Sequence, residues 1–119
     1  DFWAITCPPC RKALPEYIKL QKEHASQGLV VITVSVDPAA KFKRANEILT
    51  ELQSPLTNLL LDEPIDTWTK KFDFKSLPFA YVFDRRGKWV RFRASEYEQN
   101  PEKYETDVKN TISQLLAEK

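Results

Sequence analysis

In the stretch DFWAITCPPCRKALP, two prolines separate Cys7 from Cys10, and a basic residue, Arg11, follows at once. Such a pair can exchange thiols with a disulfide, supply half of a metal site, or form a structural bridge. These are the only two cysteines in the 119 residues, so neither can bridge elsewhere and any cysteine chemistry is local. A structural zinc site normally takes four ligands, and there is no second CxxC and no HxxxH to complete one. No metal ligands are assigned on this ground.

Thiol exchange needs a stabilised thiolate, which a helix N-terminus provides through unpaired N–H groups and the positive end of its dipole. The spacing predicts a helix opening at Pro8 or Pro9, where a missing N–H does no harm, with Cys7 at its start. Cys10 lies one turn later on the same side, close enough for the pair to close a small disulfide, and is expected to be the more buried sulfur.

Other elements must hold that helix. Asp1 to Ile5 reads as the end of a buried strand. Apolar residues at helical spacing from Cys10 to about Ala25 give the helix, with Pro15 as a kink inside it and Gly28 as its stop. Leu29 to Val36, LVVITVSV, predicts a central strand covered on both faces, closed by Asp37-Pro38. A second helix is expected from about Ala40 to Gln53, a short apolar run at Leu59 to Leu61, and a third helix from Pro64 to Lys71. FDFKSLP is loop-like. Phe79 to Phe83 and Lys88 to Ala94 form a hairpin around Asp84 to Gly87, and Asn100-Pro101 is the expected N-cap and first turn of a last helix.

Size and composition fit one globular domain, residues 1–119, with 42% hydrophobic and 29% charged residues. A net charge of +1 offers no field to attract nucleic acid or an anionic membrane, and no apolar run is long enough to span a bilayer. Asp1 looks like an interior strand position, so further residues are expected before it.

DFWAITCPPCRKALP resembles the strand-to-helix signature of the thioredoxin superfamily: an acid six residues before the first cysteine, FWA, CPPC, a basic residue, and Pro15 five residues after the second cysteine. SLPFAYVFDRRGKWV is similar to the family's cis-proline loop, strand and hairpin. GLVVITVSVDP and the insertion after it resemble the TlpA/ResA-like branch of exported bacterial thiol-disulfide reductases. The resemblance implies a thioredoxin-like three-layer α/β/α sandwich with a mixed sheet of about four strands, the family's first strand being missing. It also implies that Pro78 is cis and packs against the dithiol, and that Leu77 offers backbone hydrogen bonds to a substrate cysteine segment. Thr6 belongs to the same surface, which is less apolar than usual because it stands where the family commonly has tryptophan, and Trp3 either helps to shape that surface or packs beneath it. Thr33 occupies the place of the lysine that partners the buried acid in thioredoxins proper, so Asp1 lacks that partner.

The chemistry implied is reduction of partner-protein disulfides, without cofactor beyond the Cys7–Cys10 pair. Cys7 attacks, Cys10 resolves and Asp1 takes the proton from Cys10. Pro8 and Pro9 carry no N–H to solvate the Cys7 thiolate, which favours a reductant over a strong oxidant. Expected partners are protein thiols and disulfides, including apocytochrome or an upstream thiol-disulfide donor, in a periplasmic or otherwise exported setting. A tryparedoxin or nucleoredoxin-like cytosolic reductase shares CPPC followed by arginine, and a non-enzymatic binding module is the other alternative. A peroxidase would need threonine where Ala4 stands. His24 reads as a helix-end cation, the Arg85 to Arg93 basic cluster as a solvated hairpin face, and Trp68, Phe72 and Phe74 as packing.

Overall fold

The computed structural model describes residues 1–72 and 76–118. The strands are β1 (Phe2–Trp3), β2 (Ile32–Ser35), β3 (Thr57–Leu60), β4 (Phe79–Phe83) and β5 (Trp89–Arg93), and the helices are α1 (Pro8–His24), α2 (Phe42–Glu51), α3 (Ile65–Phe72) and α4 (Glu102–Ala117). They form one mixed sheet in the order β3-β2-β1-β4-β5. β1, β2 and β3 are parallel, while β4 runs antiparallel to β1 and β5.

Two crossovers in the same direction along the sheet, β1-α1-β2 and β2-α2-β3, share one hand and so put α1 and α2 on one face of the sheet, where they pack in one cluster. Their core is Trp3, Cys10, Leu14, Ala45, Ile48 and Leu49. α4 joins that face, packing Tyr104, Val108 and Ile112 against Tyr17 of α1 and Phe92 of β5. α3 covers the opposite face through Trp68, packed with Phe2 and Phe79. The three layers expected from the resemblance are therefore present.

Five strands stand where about four were expected. Leu59 and Leu60 of the apolar run form the end of β3, which begins at Thr57 and pairs with β2 from Ile32↔Thr57 to Ser35↔Leu60, while Leu61 lies just past it. β2 is shorter than LVVITVSV suggests. The Gln21 side chain takes the Leu29 carbonyl (2.8 Å) and the Val31 N–H (2.6 Å), so those groups are satisfied outside the sheet. Nor is the strand covered on both faces, since Val30 is 74% and Ile32 42% exposed.

Helix boundaries follow local chemistry. Pro15 lies inside α1 without ending it; a 3-10 turn at Ala25–Gln27 follows, and Gly28 stops the chain with a left-handed φ of 100°. A Cβ at Gly28 would come within 3.1 Å of the Arg85 guanidinium, which donates to the Gln27 carbonyl at 2.9 Å. α2 is preceded by a 3-10 turn at Ala39–Lys41, which shortens it relative to the expected start. α4 begins one residue later than expected: Pro101 occupies the N-cap and no side chain caps it. Asn100 contributes its carbonyl instead, accepting from Lys103 N–H at 3.1 Å.

Candidate functional site

Cys7 is the N-cap of α1, in extended backbone, with Pro8 and Pro9 in the first turn. Its Sγ accepts from Cys10 N–H at 3.3 Å, and its own N–H donates to the Ala4 carbonyl at 3.1 Å. Cys7 and Cys10 form a disulfide across a Cα–Cα distance of 5.3 Å. Cys10 has no exposed surface, whereas Cys7 is half-buried between exposed Thr6 and Pro8. Of the two sulfurs, only Cys7 is open to a partner. The first turn holds no acidic side chain, so nothing offsets the dipole that favours thiolate there.

The loop into the helix is held from below. Asp37, a buried residue just past β2, accepts from Ile5 N–H at 3.0 and 3.3 Å through its two oxygens. Trp3 is fully buried, and its Nε1 donates to Asn58 Oδ1 at 3.1 Å. That oxygen also accepts from Thr33 Oγ1 at 2.8 Å, and Asn58 Nδ2 donates to Ser35 Oγ at 2.9 Å. Trp3 thus braces the site from beneath and offers no surface to a substrate, which is the packing alternative of the two readings its sequence position allowed. Asp37 and Asn58 were not singled out by the motifs. Their signals were faint: an acid before proline at a strand end, and one amide at the head of an apolar run.

Asp1 alternates with Phe2 and so shares the α1 side of the sheet with Trp3. Its carbonyl accepts from Val34 N–H at 2.7 Å, and both carboxyl oxygens are buried without a hydrogen-bond partner among the described residues. Thr33, at the place where thioredoxins proper carry lysine, donates its hydroxyl to Asn58 Oδ1.

The Leu77–Pro78 peptide bond is cis. Leu77 packs against the cluster containing Cys10 and Cys7, and Pro78 is buried with its carbonyl bonded to Ala94 N–H at 3.1 Å. The structure therefore brings Cys7, Cys10, Pro8, Pro9, Leu77 and Pro78 to one end of the molecule, while Pro15 lies outward on α1. His24 pairs locally with Gln27 and Glu23. Trp68 and Phe72 pack beside Phe2, whereas Phe74 lies outside the described residues. Among the described residues, no group of three His, Cys, Asp or Glu is placed to hold a metal ion.

The AhpC/TSA family profile matches residues 1–93. The chain belongs to the AhpC/TSA family. Within it, the chain is 30% identical to the thioredoxin-like protein YneN of Bacillus subtilis over 87 residues, which are 73% of this chain and 49% of that protein. Against sporulation thiol-disulfide oxidoreductase A of the same organism it is 22% identical over 73% of this chain and 52% of the relative. The chain thus spans about half the length of these curated relatives. Among solved structures, a DsbE-type thiol:disulfide interchange protein from Chlorobium tepidum superposes with a TM-score of 0.69 at 26% identity, over 98% of this chain and 77% of that one. A thiol:disulfide interchange protein from Bacteroides sp. gives 0.62 at 25% identity, over 92% and 68%. The solved structures share the thioredoxin-like fold, and together with the curated relatives they support the TlpA/ResA-like resemblance of the sequence.

Proposed function

We propose that this chain is a thiol-disulfide oxidoreductase that reduces disulfides in partner proteins. The observation that carries the reading is a half-open Cys7 at a helix N-cap, joined to a fully buried Cys10 and set beside the cis Leu77–Pro78 bond. In the reduced form, Cys7 thiolate attacks one sulfur of the partner disulfide, and the other sulfur leaves as a thiolate and takes up a proton. Cys10 gives its proton to Asp1, whose two carboxyl oxygens are enclosed without a hydrogen-bond partner among the described residues, and attacks Cys7 Sγ. The second partner sulfur leaves, and the Cys7–Cys10 disulfide seen here is the product. Two electrons have passed to the partner, and an upstream thiol donor must return them.

Leu77 would present its main chain to the partner's cysteine segment, with Thr6 at the rim. Apocytochrome is the partner class that the TlpA/ResA-like resemblance supplies, and an exported location goes with it; cell fractionation of the native protein tests the location. Insulin reduction tests the activity. Reduced wild-type protein is expected to precipitate insulin chains catalytically, and Cys7→Ser to lose the activity. An inert wild-type dithiol would overturn the reading in favour of a binding module.

A further inference from the structure

An apolar groove of about 780 Å³ starts at Pro8 and Pro9 beside Pro78 and runs between α1 and α4, reaching Leu20. Pro8 and Leu20, its two ends on α1, are twelve helical steps apart, a length of about 18 Å, which holds roughly five residues of extended chain. Ala13 and Val108 contribute apolar walls, and the turn at Ala94–Tyr97 closes one side. The floor is unusual. Tyr17 and Tyr104 are each more than nine-tenths buried, and the Tyr104 hydroxyl has no partner among the described residues.

The rim is acidic. Lys109 is shared between Glu16 (3.0 Å) and Glu105 (2.9 Å), so one ammonium serves two carboxylates. Glu98 and Glu102 add two exposed carboxylates, against Lys12 as the one further cation among the described lining residues. A partner chain delivering a disulfide sulfur to Cys7 would pass Pro8 and Pro9, where the groove opens.

We propose that this groove docks the partner segment flanking the exchanged cysteine, and that it selects extended apolar segments carrying a basic residue. The inference rests on the oxidoreductase reading. It adds a substrate preference located away from the sulfurs: apolar side chains fill the space between α1 and α4, and a lysine or arginine meets Glu98 and Glu102. Because the contact lies beyond the reacting atoms, it acts on partner affinity and leaves the bond exchange to Cys7 and Cys10.

The test uses the whole chain, reduced, and peptides whose single cysteine is disulfide-linked to thionitrobenzoate, followed by five residues. One set of five is apolar with a lysine, a second replaces that lysine with glutamate, and a third is serine and glycine. Release of thionitrobenzoate reports attack by Cys7, and hydroxyethyl disulfide serves as a small neutral reference. The apolar lysine peptide is expected to exceed the serine-glycine peptide at least tenfold in kcat/KM. In the doubly substituted E98K/E102K protein, checked for fold by circular dichroism, the preference for lysine over glutamate should invert. Equal rates on all three peptides, with hydroxyethyl disulfide reduced normally, would overturn the groove proposal and leave the oxidoreductase reading standing. Failure to reduce hydroxyethyl disulfide as well would overturn both.

Discussion

On the side of the sheet that carries α1, α2 and α4, Trp3, Leu14 and Cys10 have no exposed surface; on the α3 side, Phe83 and Trp89 remain 60% and 54% exposed. Ile32 and Leu59, at 42% and 49%, lie on that open side by alternation with Val34 and by strand register. The difference follows from coverage. Three helices, of 17, 10 and 16 residues, lie over the first face, and one helix of eight residues lies over the second. The closed face also holds the polar cluster of Asn58, Thr33 and Ser35 under Trp3. The dithiol is built on the face whose geometry is fixed by packing and by satisfied polar groups, so the sulfurs inherit a rigid floor.

Trading large for small across the two faces is the strongest way to break this contrast. Trp3→Ala should cost about 3 to 5 kcal/mol, since it empties a fully enclosed site and removes one of the two donors to Asn58 Oδ1. Trp89→Ala should stay within about 1 kcal/mol, because its ring is half in water and meets Tyr81 edge-on. Urea unfolding of both variants measures the gap, and equal losses would mean that the faces do not differ as described.

The polar cluster gives the next effect. Asn58→Ala removes the partner of Trp3 Nε1, Thr33 Oγ1 and Ser35 Oγ at once and should cost about 2 to 3 kcal/mol, read from the denaturation midpoint. Asp37→Ala should cost about 1 to 2 kcal/mol and, more specifically, speed hydrogen exchange at the Ile5 amide that Asp37 accepts. Unchanged exchange at Ile5 would show that the loop before Cys7 is held by something else.

The smallest effect is a pH dependence on the α4 side. Removal from water, and then its hydrogen bond to Asp107, push the Tyr97 hydroxyl up to about 12, and burial raises Tyr17 and Tyr104 as well. A pKa raised by folding means that the unfolded chain loses its proton first. Stability is then fully present below about pH 10 and declines as pH rises from there through the folded value. Tyr97→Phe should flatten that alkaline decline between pH 10 and 12 in urea titrations, and an unchanged slope would remove Tyr97 from the account.

The elements that sequence periodicity reveals are those whose apolar stripe is their own. α1, α4 and the β4–β5 hairpin are legible because Leu14, Tyr17 and Ile18, or Tyr104, Val108 and Ile112, repeat at helical spacing, and because Asp84 and Gly87 mark a turn in which Asp84 accepts from the Arg86 and Lys88 N–H groups. The CPPC pair and Leu77–Pro78 are likewise local patterns. β3 was harder to read as a strand, because two of its four residues, Thr57 and Asn58, are polar and serve neighbours rather than a core. The true start of β2 depends on Gln21, eight residues before Leu29, whose amide removes two backbone groups from the sheet. Asp37 acquires its importance only when the fold carries it beneath Ile5, 32 residues earlier. Long-range polar contacts of this kind leave little periodic trace.

Trapping the exchange intermediate tests the central assignment, that Cys7 attacks and buried Cys10 resolves, most directly. Reduced Cys10→Ser and Cys7→Ser proteins are each mixed with insulin, quenched in acid and resolved by mass spectrometry. Cys10→Ser should accumulate a covalent adduct through Cys7 at close to one per chain, and Cys7→Ser should form almost none. An adduct that forms equally well through Cys10 would contradict the account, because a sulfur with no exposed surface would then be reaching the partner unaided.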